Sequence, residues 1–260
     1  MAAEARTLQV HDAARGLSFA AQLWLPARGE GWPIVAISHG SGGSHQLYST
    51  VARQLAARGF AVVLPEHPGN NRNDNHLAGT LQNLQDRPRH LVLAMDAVRA
   101  DAEAGPRVDP ARAAVVGHSI GGYTALALAG GHAWSERREP VAVTPDPRVR
   151  ALVLLAPATA WFLAPQALRG VDLPILLLEG EHDSVTPTWH GDLVQHGVAD
   201  PAKVIRRIVP GAGHFSFLTP FPPAMIRPDF APGNDPPGFD RAAFHRELPL
   251  EVSAFLETRL

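Results

Sequence analysis

The sequence predicts an α/β fold with a mostly parallel central sheet, and three observations carry that prediction. Short apolar runs of strand length alternate with helix-spaced apolar patterns along most of the chain. Turn-rich stretches of glycine and proline separate them. The 260 residues, 45% hydrophobic and 18% charged, suit one large core. The β-α-β-α order therefore argues for a single domain over 1–260 with loop insertions, not for two domains.

The elements follow in order. Leu17–Leu25 alternates like an early antiparallel strand and ends at Pro26. Pro33–Ser38 is a compact apolar run leading into His39-Gly40-Ser41-Gly42-Gly43. A helix is expected over His45–Arg58, closed by Gly59, before the strand Phe60–Leu64. The spacing of Leu91, Met95 and Val98 predicts a helix across Pro88–Ala104, stopped by Gly105-Pro106. Ala113–Val116 reads as a buried strand, followed by Gly117-His118-Ser119-Ile120-Gly121-Gly122 and a small-residue helix over Tyr123–Ala129. Ala151–Leu155, Ile175–Leu178 and Val204–Val209 are further strands, and Arg241–Leu260 has the pattern of a terminal amphipathic helix. Gly130–Arg148 and the proline-rich Pro210–Pro237 break the rhythm. A helix within 130–148 would be too short for a large cap, so an open site is expected.

Composition excludes several functions. The net charge is only -2, so no broad electrostatic footprint for nucleic acid or an anionic membrane exists. The chain has no cysteine, which removes disulfides, thiolate metal sites and Cys nucleophiles and leaves the redox compartment open. Met1–Val10 holds Glu4 and Arg6 and lacks the apolar run of a leader. No stretch reaches the roughly 18 apolar residues of a membrane span. A cytoplasmic location without a membrane span is the expectation.

The chemistry centres on Ser119. Gly117-x-Ser119-x-Gly121, between a buried strand and a helix, has the pattern of a nucleophile elbow. A serine on so sharp a turn needs glycine two residues to either side, because larger side chains collide there. The helix starting at Ile120 aims its unpaired N–H groups at developing negative charge. A serine hydroxyl needs a base. His214 follows the strand Val204–Val209 on the flexible Pro210-Gly211-Ala212-Gly213 turn, within reach of the elbow. His118 is the rival, but adjacent residues on the elbow point in different directions, so it is expected to flank the nucleophile. Asp183, after the strand Ile175–Leu178, is the acid that would orient His214, with Glu181 and Glu179 as fallbacks and Glu179 in a structural role. The Ile120 and Ser41 amides are the expected oxyanion donors, with Gly40 beside them.

Substrate contacts are expected from Gly40, His118, Trp161, Phe215 and Phe217. Phe221 and Phe230 extend an aromatic rim stiffened by Pro220, Pro222, Pro223 and Pro228. Phe162 and Trp189 are further wall candidates. The polar stretch His67, Asn70, Asn71, Asn73, Asp74 and His76 offers polar contacts but no tight metal-ligand spacing. No metal is expected.

With these residues in view, the chain resembles the α/β-hydrolase superfamily across nearly its whole length. It is similar in particular to bacterial dienelactone hydrolase-like proteins and to platelet-activating-factor acetylhydrolases. The likeness rests on Ile37-Ser38-His39-Gly40-Ser41-Gly42-Gly43, Pro65-Glu66-His67-Pro68-Gly69-Asn70, the Ser119 elbow, Gly180-Glu181-His182-Asp183, Gly213-His214-Phe215-Ser216-Phe217-Leu218 and Asp235-Pro236-Pro237-Gly238-Phe239-Asp240-Arg241. The resemblance implies the α/β-hydrolase fold, a Ser119–Asp183–His214 triad, hydrolysis of a small-molecule carboxylic ester through an acyl-enzyme, and no cofactor. Phospholipid acetylhydrolase-like, cutinase-like polyester and thioester hydrolysis stay open. A ligand-binding protein on a hydrolase scaffold is the reading from another class. Dienelactone hydrolases use a cysteine nucleophile, which this chain lacks, so that name is no guide to its substrate.

Overall fold

The computed structural model describes residues 5–260; Met1–Glu4, part of the segment read above for a leader, lie outside the described residues. Eight strands form one sheet: β1 (Ala5–Asp12), β2 (Leu17–Trp24), β3 (Trp32–Ser38), β4 (Ala61–Pro65), β5 (Val108–His118), β6 (Val149–Leu155), β7 (Ile175–Gly180) and β8 (Val204–Val209). Their spatial order is β1-β2-β4-β3-β5-β6-β7-β8. β1 pairs with β2 and β2 with β4 antiparallel, and every pair from β4 to β8 is parallel. The predicted α/β class therefore holds.

Helices cover both faces, which is why the central strands read as continuous apolar runs. α2 (Leu81–Ala100), α3 (Ile120–Leu128) and α4 (Trp189–Gly197) pack on one face, through residues such as Leu91, Met95, Leu126 and Val194. α1 (Ser49–Ala57) and α5 (Arg241–Glu257) pack on the other, through Leu55, Val252 and Leu256. Among the described residues no helix is long and apolar enough to cross a membrane.

Two expectations are corrected, and two elements appear that the sequence reading did not include. α2 begins at Leu81, seven residues before the predicted start, with the Thr80 hydroxyl capping the Asn83 amide at 3.1 Å. Pro88 lies inside the helix because the bond it deletes is replaced: the Leu84 carbonyl, left without its usual donor, accepts the Tyr123 hydroxyl from α3 at 2.8 Å. Residues 130–148 form no helix; Trp134 and Pro140 make an isolated bridge there, and Asp146 is gripped by Arg148. β1 and α4 were not anticipated, since β1 is an edge strand with an exposed face and α4 buries only a narrow stripe.

The parallel register lines up the carboxyl ends of the strands. Ser38 sits opposite Gly117, His118 opposite Leu155, and Gly180 opposite Val209. The loops leaving these ends converge along one edge of the sheet, where open α/β sheets bind ligands.

Candidate active site

Ser119 stands between β5 and α3 with φ 56° and ψ -123°, a left-handed conformation that costs a non-glycine residue energy. The turn is held closed by its neighbours: the Ser119 amide donates to Leu155 O at 3.1 Å, and the Ser119 carbonyl accepts from the Gly122 and Ala158 amides, each at 2.8 Å. Both flanking glycines are required. A Cβ on Gly117 would lie 2.1 Å from Gly121 O, and one on Gly121 would lie 2.1 Å from Ser38 O.

His214 is buried at the end of the loop after β8. Its Nδ1–H donates to Asp183 Oδ2 at 2.8 Å, which fixes the tautomer and leaves Nε2 as the basic nitrogen. Asp183 is buried and pinned in turn. Its Oδ1 accepts the Val185 and Thr186 amides at 2.8 and 2.7 Å, and its Oδ2 accepts the Thr186 hydroxyl at 2.7 Å. Burial alone would raise its pKa, but the His214 ring and these donors hold it below the ordinary carboxylate range.

The fallback acids take other roles. Glu179 is buried against Gly191 and paired with Arg206 at 2.5 Å, while Glu181 accepts the Gly211 amide at 2.8 Å. Burial raises the Glu179 pKa in spite of Arg206.

The loop after β3 lies directly against the elbow. A Cβ on Gly40 would come within 3.4 Å of Ser119 Cβ and 3.2 Å of His118 Nδ1, so only glycine fits there comfortably. Among the described residues the Ser41 and Ile120 amides donate to no protein acceptor. His118 bridges the two loops. Its Nε2–H donates to His214 O at 2.9 Å, so its Nδ1 accepts the Tyr48 hydroxyl at 3.0 Å; that hydroxyl accepts the Gly40 amide at 3.2 Å. Burial drives the His118 pKa down to about 3, and both of its ring nitrogens are already engaged within the protein.

A cavity of about 420 Å³ opens beside this loop, lined by Gly40, Ser41, His118 and Phe215 together with Tyr48, Leu218, Phe221 and Phe230. Gly40, His118 and Phe215, three of the residues expected to contact substrate, thus line this cavity. The other two do not line it. Phe217 is fully buried, packed under His118 and against Phe244, and has no face left for a ligand. Trp161 packs edge-on against Tyr123 and is not among the residues lining this cavity. Trp189 stacks on His190 and does not line the cavity either.

The 67–76 stretch turns inward to brace the loop after β3. His67 is buried between Ser38 and His90, and Asn70 Nδ2 donates to Ser41 Oγ at 2.9 Å. Asp74 and His76 pair at the exposed tip. Among the described residues no group of three or more His, Asp or Glu could hold a metal. Sequence reading missed Tyr48, Arg87 and Thr186. Only Thr186 carried a local signal, because Asp-x-x-Thr builds an Asx turn.

Comparison with known proteins bears on the fold and the family. A dienelactone hydrolase from Anabaena variabilis superposes with TM-score 0.65 and 21% identity over 100% of both chains. A predicted CIB-like hydrolase from Thermoplasma acidophilum gives TM-score 0.60 and 16% identity, over 97% and 99% of the two chains. The fold is thus that of the α/β-hydrolases. Among curated proteins, cutinase est2 of Thermobifida alba is 26% identical over 75% of this chain and 56% of its own length. Cutinase est1 of the same organism is 27% identical over 64% and 47%. The chain spans about half the length of these relatives. Residues 32–170, from β3 through the Ser119 elbow and β6, match the profile of the hydrolase family described as serine aminopeptidase, S33, and as this is more than half of the sequence, the chain belongs to that family.

Proposed function

We propose that this chain is a serine hydrolase that cleaves carboxylic esters through an acyl-enzyme. The observation that carries the reading is the meeting of three features at one sheet end: a serine on a strained elbow, a buried Asp183–His214 pair, and two amides without acceptors. Ser119 Oγ attacks the acyl carbonyl while His214 Nε2 takes its proton. The oxyanion is received by the Ser41 and Ile120 amides. His214 then gives the proton to the departing alcohol, and a water activated by the same nitrogen releases the acid. Asp183 keeps the ring oriented and stabilises its charged form.

The apolar cavity beside Gly40 supports an acyl group of modest length as the bound portion. The names of the cutinase relatives point the same way, toward esters. The family description names an aminopeptidase, which must also seat a free ammonium, and a carboxylate is its natural partner. The cavity lining includes no carboxylate, and Arg72 is at its edge. Esters are therefore the better reading.

The test is initial rates on p-nitrophenyl esters from acetyl to dodecanoyl, with labelling by a fluorophosphonate. Ser119→Ala should abolish labelling and lower turnover on the order of 10⁴-fold or more. Retention of most of the activity by that variant refutes the assignment.

A further inference from the structure

The core behind the oxyanion loop holds a feature that the proposed chemistry does not use. Arg87, on α2, is fully buried, yet among the described residues no carboxylate pairs with it; the adjacent Asp86 faces Arg15 instead. An unpaired buried guanidinium is costly unless hydrogen bonds occupy its donors. Here four of its five N–H groups reach acceptors on three segments of the site. Nη2 donates to the His39 carbonyl and to Ser38 Oγ at 3.2 Å, at the end of β3. Nη1 donates to Asn70 Oδ1 at 2.6 Å, and Nε to Thr124 Oγ1, on the nucleophile helix, at 3.3 Å.

These bonds bear on where the Ser41 amide points. The peptide joining His39 and Gly40 is held at both ends, its carbonyl by Arg87 and its N–H by Tyr48. In the next peptide the Gly40 carbonyl accepts His39 Nδ1–H at 2.8 Å and the Gly43 amide at 3.1 Å. The His39 tautomer is settled by its other nitrogen, since Nε2 accepts the His67 amide at 3.1 Å. A trans peptide points its N–H opposite its C=O. Pinning the Gly40 carbonyl in the core therefore turns the Ser41 N–H outward, toward the carbonyl oxygen of a substrate on Ser119. From its other side Asn70, itself held by Arg87, donates to Ser41 Oγ.

We infer that Arg87 is a positioning residue for the oxyanion site: it fixes the His39–Gly40 peptide and Asn70 so that the Ser41 amide stays aimed, and it sets an uncompensated positive charge behind the position where negative charge develops. Such a charge acts strongly because water is excluded around it. The histidines nearest to it, His39, His67 and His90, stay neutral, so they neither add to nor compete with that charge. The inference rests on the serine hydrolase reading, since it concerns the oxyanion of that reaction.

The experiment compares a p-nitrophenyl ester with its thionoester, whose sulfur is a poor acceptor for oxyanion amides. The full chain is measured as wild type, Arg87→Met, Arg87→Lys and Asn70→Ala, with circular dichroism to verify folding. The wild type should prefer the oxygen ester. That preference should fall about tenfold in Arg87→Met, part of the hundredfold or more that loss of a whole donor costs. It should fall less in Arg87→Lys, which keeps the charge. If the Arg87 variants do not fold, Asn70→Ala decides: a reduced preference supports the inference and an unchanged one overturns it. Folded Arg87 variants whose rates on both esters drop in equal proportion also overturn it. A wild type that neither reacts with a fluorophosphonate nor hydrolyses either ester refutes the hydrolase reading itself.

Discussion

His118 makes the stability of this protein sensitive to mild acid, and a substitution can isolate the amount. Its ring holds one proton and uses both nitrogens, accepting from Tyr48 and donating to the His214 carbonyl. A second proton has no acceptor, and burial lowers the pKa to about 3. In the unfolded chain the same imidazole titrates near 6.5. Between these values the unfolded state binds a proton that the folded state refuses, so the stability is complete above about pH 6.5 and declines as pH falls toward 3. For a group shifted this far, the loss at pH 5.0 is about 2 kcal/mol. A His118→Gln variant will be weaker at every pH through its altered hydrogen bonds, but it has nothing to titrate there. Urea unfolding followed by tryptophan fluorescence at pH 7.5 and 5.0 gives the comparison. The loss on acidification should be about 2 kcal/mol smaller in the variant than in the wild type. An equal loss in both proteins refutes the reasoning.

Other tests address the site and its frame. Asp183→Asn should leave the fold intact but present the wrong imidazole tautomer, lowering turnover on p-nitrophenyl esters roughly 10⁴-fold; a fall of less than tenfold contradicts the Asp183–His214 assignment. Gly121→Ala would drive a methyl to 2.1 Å from Ser38 O, so β3 and α3 must separate. A loss of about 3 kcal/mol or more is expected in urea unfolding, and a change under 1 kcal/mol contradicts the packing. Phe230→Ala removes one of the aromatic walls of the cavity. The ratio of kcat/KM for octanoyl over acetyl esters should fall about tenfold, whereas an unchanged ratio means that the acyl chain binds elsewhere.

Much of this site was legible because its chemistry demands local signals. Glycines at 117 and 121 are forced by carbonyl contacts, and the apolar runs before Ser119 and Asp183 end in strand segments buried on both faces, whereas β8, before His214, is an edge strand that leaves Ile205 and Ile208 exposed. The supporting shell was not legible for the opposite reason. Arg87 meets Asn70, Ser38 and His39 only through the packing of α2 on the sheet, and nothing in its neighbours along the chain sets it apart from a surface arginine. Phe217 was misread because a phenylalanine on a loop serves equally as a wall or as an anchor; only the position of α5 decides, and Phe244 on that helix covers it. The start of α2 was misread because proline usually opens a helix, and here a tyrosine from another helix completes the bonding it interrupts.

That interruption also solves a problem of alignment. The backbone of an uninterrupted helix is the same at every turn, so its hydrogen bonding gives a neighbour no means of telling one turn from the next. Pro88 makes one turn of α2 unlike the rest, because the Leu84 carbonyl there is the one left open, and Tyr123 engages it. α2 is thereby indexed against α3, both along its axis and in rotation. Arg87 immediately precedes the proline, so the same mark sets the bearing of its guanidinium toward Thr124 and the β3 loop. A defect in one helix thus serves as the datum from which the site is assembled.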